Sequence, residues 1–240
     1  FTLFNNSLGR IAARQSAKVP VLLGNMQDDG TLFALQAGGG AIALDQFLNG
    51  LGIPIPAGVV RALYPGQNDS QVMASVYRDV VFQCTTGLWA STSVLAGIRN
   101  VYRYTYGVYL KSFHRVIAEQ FGAVFPELQA FPGAGAWHSS EGEPVFIVIV
   151  SYNHLTTYRI TLSNTFQTII SNFINEPTTP PADNWVRYVQ GGLMPSVAKL
   201  AYEGNVNLDD VVRPATIVSV DGPCLALWNQ VLTLGNIQSL

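Results

Sequence analysis

His138 stands in 133-GAGAWHSSEGEPVF-146, a stretch of small residues with a carboxylate three positions further on. Asp28 and Asp29 stand in the loop 25-NMQDDG-30, directly after the apolar run 19-VPVLLGN-25. A carboxylate and an imidazole are two of the three groups of a hydrolytic relay, in which the acid orients the ring and the ring carries a proton. Small neighbours let the His138 loop approach other backbone closely and leave the ring room to reach a substrate. A carboxylate just past a strand points into the region outside the carboxyl ends of an open α/β sheet, where ligands bind. Gly30 would permit the tight backbone turn that holds it there. Each group also has a plain structural reading: Asp28 or Asp29 as the cap of a helix starting near Thr31, His138 as a packed loop histidine.

Hydrolases of the α/β class order their relay as Ser, then acid, then His. An acid at 29 ahead of a histidine at 138 follows that order, with room between them for several elements. No GxSxG occurs in the 240 residues, so the serine of such a relay is expected upstream of Phe1. His114 and His154 lack the small-residue setting of His138 and read as ordinary surface or loop residues. The three histidines have no ligand-like spacing, so no metal site is expected. GxGxxG and the P-loop are absent, and 38-GGG-40 reads as a loop.

The elements that would position these groups alternate between strand and helix. The run 19–25 has the pattern of a buried strand, and 31-TLFALQ-36, 41-AIALDQFLNGL-51 and 58-GVVRALYP-65 read as helices. The stretch 69–96 reads as two amphipathic helices, the first capped by Asp69. The aromatic, β-branched 99-RNVYRYTYGVY-109 reads as a strand without strict parity. A helix over 158–174, a strand over 215-ATIVSVDG-222 and a helix over 223–232 complete the pattern. Strands separated by helices predict an α/β sheet protein.

Composition narrows the function classes. Net charge is −2 and the basic residues are scattered, which argues against tracking a phosphate backbone. The longest aliphatic and aromatic run, 145-VFIVIV-150, is far short of the roughly 18 residues of a membrane helix. Charged residues are only 12% of the chain, against about 25% in an average soluble domain. Either much of the surface is buried against another polypeptide, or it is polar but uncharged; composition leaves both open. The chain opens at Phe1 without an initiator Met or a signal core, so an amino terminus made by cleavage is expected. Two cysteines, Cys84 and Cys224, allow at most one internal disulfide, and sequons at Asn5 and Asn68 fit a secreted glycoprotein.

Five stretches carry a resemblance. Residues 20-PVLLGNMQDDGTLF-33 look like P-x-x-x-G-x-x-x-D-E-G-x-x-F, and 135-GAWHSSE-141 looks like G-x-x-H-x-x-E. The segments 79-DVVFQC-84 and 175-NEPTTPPADNWVRY-188 match D-x-x-F-x-C and P-x-x-(gap)-W-x-x-Y, and 224-CLALW-228, with one residue more between Cys and Trp, resembles a late C-x-x-W region. Together they resemble the type-B carboxylesterase and lipase family, which includes cholinesterases and secreted fungal lipases. Nearly the whole chain is covered, but only by the carboxyl-terminal part of that family.

The resemblance implies that residues 1–240 are the carboxyl-terminal portion of a single α/β-hydrolase domain. Its mostly parallel sheet flanked by helices would be completed by a separate amino-terminal chain of the same precursor. It assigns the catalytic acid to Asp29, where the family usually has Glu, so the shorter side chain must reach through a slightly shifted loop. It assigns the general base to His138, a supporting role behind the site to Glu141, and a disulfide to Cys84 and Cys224. That bridge would close a loop worth roughly 4–5 kcal/mol in the chain-entropy model. The implied activity is secreted carboxylic ester hydrolysis on a small apolar ester, without cofactor or metal. The serine and oxyanion hole would come from the amino-terminal chain. The stretches 32-LFALQ-36 and 41-AIALDQFL-48 would line an acyl pocket or simply pack as helical core. The other function class is a non-catalytic cholinesterase-like binding or adhesion module, against which the retention of both acid and histidine argues.

Overall fold

The computed structural model describes residues 6–38, 41–107, 135–140, 157–202 and 211–233. Asn5, His114, Glu141 and His154 lie outside the described residues. Among the described residues four strands form one sheet: β1 (Val21–Met26), β2 (Val101–Tyr106), β3 (Val197–Leu200) and β4 (Val212–Ala215), in the order β1-β2-β3-β4. β1 runs parallel to β2 from Val21 opposite Val101 to Met26 opposite Tyr106. β3 is parallel to β2, and β4 returns antiparallel to β3. Among the described residues β1 is one edge of the sheet and β4 the other, where Pro214 sits without disturbing a central ladder. Helices pack on both faces of this mixed sheet, an α/β arrangement.

β2 explains its own broken parity. Side chains alternate between faces along a strand, and both faces of β2 are covered, so apolar and aromatic residues occur at either parity. Tyr102, Tyr104 and Tyr106 pack with Phe166 of the long helix Thr157–Asn175 and with Trp185. Val101 joins Ala90, Ile98, Tyr188, Val197 and Ile217 in a second cluster on the opposite face. Gly24 of β1 is required here: a Cβ would fall 2.0 Å from the Tyr104 ring.

The helical half begins with α1 (Ser7–Ala12), which precedes β1, and continues with α2 (Thr31–Gln36), α3 (Leu44–Gly50), α4 (Ala57–Ala62), α5 (Asp69–Tyr77) and α6 (Cys84–Leu95). A π-helical stretch, Arg78–Gln83, joins α5 to α6. The two helices expected over 69–96 are therefore one continuous rod. Its cap is Asn68, not Asp69: Asn68 accepts from the Gln71 N–H, and the Gln71 side chain accepts from the Asn68 N–H. The sequon residue Asn68 is thus exposed at a helix start. Leu44, Leu48, Val60, Val72 and Val76 fill the core of this half, with Trp228 across it.

Near the carboxyl end the order of elements differs from expectation. The strand lies at Val212–Ala215, and residues 217–223 form a helix instead of continuing it. With the helix Thr157–Asn175 as α7, this one is α8 (Ile217–Pro223). Thr216 caps it by accepting from the Ser219 N–H at 3.1 Å, so a local cap overrides the β-branched composition of 215–220. It is followed by a π-helical turn, Cys224–Trp228, and α9 (Asn229–Thr233). β3 has no counterpart among the expected elements: four residues with Lys199 in the middle carry too little periodicity to announce a strand. No described helix is long and apolar enough to cross a membrane.

Candidate active site

The turn after β1 is fastened before it presents any side chain. The Gln27 N–H donates to the Tyr106 carbonyl at 2.7 Å, and the Thr31 N–H donates to the Asp28 carbonyl at 3.1 Å. Asp29 is 2% exposed, and its Oδ2 accepts from the Met26 N–H at 2.6 Å. Its Oδ1 meets His138 Nδ1 at 2.8 Å, so residues 109 apart in sequence are in direct contact. Neither aspartate caps the following helix: α2 starts after Gly30 without a side-chain cap. Gly30 itself has φ −84°, an ordinary value, so it is not there to permit a special turn. A Cβ would lie 2.0 Å from the Ala74 carbonyl oxygen and 2.5 Å from the Arg78 nitrogen. Glycine at 30 lets the acid turn sit directly against α5 and the start of the π-helical stretch.

The His138 loop is equally determined. Ala136 and Trp137 are buried, and the Ser140 N–H donates to the Trp137 carbonyl at 2.9 Å. The Asp28 N–H donates to the Ala136 carbonyl at 3.0 Å, while Asp28 Oδ2 accepts from the Ala136 N–H at 2.8 Å. The imidazole packs against both Phe33 of α2 and Phe82 of the π-helical stretch, with ring centroids 5.4 and 4.8 Å away. Phe33 is stacked in turn on Tyr77, 4.9 Å away. The His138 side chain nevertheless remains 44% exposed. A carboxylate can only accept, so Nδ1 carries the proton donated to Asp29; in the neutral ring Nε2 is then the basic nitrogen.

Beneath the site lies a buried polar network. Arg103 of β2 is fully buried and pairs with Asp221, with Nη2 2.8 Å from Asp221 Oδ1 and 3.1 Å from the Gln83 carbonyl. Burial works against its charge, but Asp221 more than offsets this, and the guanidinium is held above its ordinary value. Gln83 donates to Asp221 Oδ1 and to the Val220 carbonyl, and accepts from Asn25 of β1 at 2.7 Å. Cys84, next in the chain, is bonded to Cys224. The π-helical stretch therefore carries Phe82 to the imidazole while Gln83 and Cys84 anchor it to α8 and to the Cys224–Trp228 turn.

Asp29 and His138 are thus brought together, and the shorter acid does reach the ring. Cys84 and Cys224 are bridged as the resemblance implied. Asp28, a candidate acid from its place after the strand, meets the Ala136 backbone instead of the ring, and Phe33, Phe82 and the Arg103 network carried no sequence signal of a site. Phe33 and Phe82 do lie inside the quoted stretches, yet an aromatic residue in a helix reads as core until its neighbours are known. Comparison with models of known protein families gives no match, and comparison with curated proteins gives none.

Proposed function

We propose that this chain supplies the acid and the general base of a serine ester hydrolase. The observation that carries the proposal is the contact of Asp29 Oδ1 with His138 Nδ1 at the carboxyl end of β1. A buried carboxylate on Nδ1 and a half-exposed ring are what a general base needs. The resemblance of five separated stretches to type-B carboxylesterases and lipases supports the same reading. In this mechanism His138 Nε2 takes the proton of a serine hydroxyl as it attacks the ester carbonyl. It then gives that proton to the leaving alcohol, and repeats both transfers with water to release the acid. Asp29 fixes the tautomer and stabilises the imidazolium.

The serine and the oxyanion-binding N–H groups belong, in this reading, to an amino-terminal polypeptide of the same precursor. β1, which is a sheet edge among the described residues, offers a ladder on which that polypeptide could extend the sheet. The test is carried out on the native assembly. A serine-directed phosphonate should label a second polypeptide, and short p-nitrophenyl esters should be hydrolysed. His138→Ala should abolish turnover. A fully active His138→Ala enzyme removes the proposal, and a fold with no turnover and no labelling favours the binding module.

A further inference from the structure

Resting on that reading, we infer that Asp28 is a positioning residue that holds the His138 loop in register with Asp29. Its backbone N–H and its carboxylate Oδ2 grip the Ala136 carbonyl and N–H, at 3.0 and 2.8 Å, two residues before the histidine. Adjacent residues of one turn thus divide the work: Asp28 holds the backbone of the loop, and Asp29 holds the ring. A displacement of the turn carries both halves of the pair together, which keeps their separation constant. Gly135 completes the grip. It lies at φ +67°, and a Cβ there would fall 2.2 Å from Asp28 Oδ2. Only glycine lets the loop come close enough for its next N–H to reach the carboxylate.

Asp28 also faces a cation. Burial works against the charge of Arg78, but Asp79, with smaller contributions from Tyr64 and then Asp28, more than offsets this and holds the guanidinium above its ordinary value. The carboxylate could therefore act through its charge instead of through the hydrogen bond to Ala136. An amide separates these roles, because Asn keeps an acceptor oxygen and loses the charge.

The experiment compares Asp28→Ala, Asp28→Asn and Gly135→Ala by two readouts. The first, independent of turnover, is the proton NMR signal of His138 Nδ1–H, assigned by its loss in His138→Ala. The second is p-nitrophenyl ester hydrolysis by the native assembly. In Asp28→Ala the signal should shift and broaden, and kcat should fall about 10- to 100-fold, the scale of a roughly 1 Å misplacement, with KM little changed. Asp28→Asn should restore both. Gly135→Ala, which attacks the grip from the loop side, should behave like Asp28→Ala and serves in its place if that variant does not fold. An unchanged signal in Asp28→Ala and Gly135→Ala overturns the inference, as does an Asp28→Asn variant as impaired as Asp28→Ala. Retained turnover in His138→Ala would instead defeat the hydrolase reading, while the NMR readout still judges the grip.

Discussion

Asp29 serves two donors at once, the Met26 N–H and His138 Nδ1–H, and both need an oxygen. In Asp29→Asn one of the two faces an NH2 group instead. If the ring turns to the other tautomer to avoid the clash, Nε2 no longer accepts a proton. On the proposed hydrolase reading, kcat on p-nitrophenyl esters should fall by about 10⁴ with the fold intact, the scale of the same change in Ser-His-Asp hydrolases. Tyr64 is a second residue under tight constraint. Its hydroxyl donates to Asp79 Oδ2 at 2.7 Å and accepts from Trp228 Nε1 at 2.7 Å. Burial, reinforced by the Asp79 charge, pushes it well above its ordinary value of 10.0. The unfolded chain therefore loses this proton first as pH rises. The stability linked to Tyr64 is complete below pH about 10 and is lost above it, by up to about 1.4 kcal/mol per pH unit. Tyr188, also raised by burial, adds a loss of the same sign. Urea midpoints measured across the alkaline range should fall, and Tyr64→Phe should flatten the fall even if its starting stability is lower.

At the level of elements, the π-helical stretch Arg78–Gln83 decides how the site is built. A π turn widens the helix by one residue, and such turns occur often at functional sites. Here it places Phe82 on the imidazole and Gln83 in the network below. That network ties β1, β2, the π turn and α8 through Asn25, Arg103, Gln83 and Asp221. Removing one charge of a buried pair leaves the other uncompensated. Arg103→Met or Asp221→Ala should therefore cost about 3–5 kcal/mol in denaturant unfolding, and the double replacement by apolar residues should recover much of the loss. The sequence announced β1 and β2 through their apolar and aromatic runs, and the helices through their spacing. It did not announce β3, whose four residues gain their strand form from the ladder of β2. It also misdirected the reading of 215–222, where the hydroxyl of Thr216 decides for helix over the β-branched run.

For the whole molecule, the Cys84–Cys224 bond is the longest covalent tie, spanning 140 residues. It joins the start of α6 to the turn before α9, so it encloses β2, α7, β3 and β4 within one loop. Replacing both cysteines by serine should lower stability by roughly 4–5 kcal/mol in the chain-entropy model, measured as a shift in the urea midpoint. The same change should loosen Phe82 against His138, because Phe82 stands two residues before Cys84. By itself the sequence determined the materials: a histidine in a small-residue loop, two acids after a strand, and two cysteines able to form a single internal bridge. Motif spacing could name Asp29 only through a resemblance, since Asp28 and Asp29 are chemically alike and adjacent. Tertiary structure decided between them. Strand β1 and the Tyr106 end of β2 fix the turn, so that Asp29 faces the ring and Asp28 faces the Ala136 backbone. Contacts between groups 108 and 109 residues apart depend on where the intervening chain folds, and no local pattern encodes that.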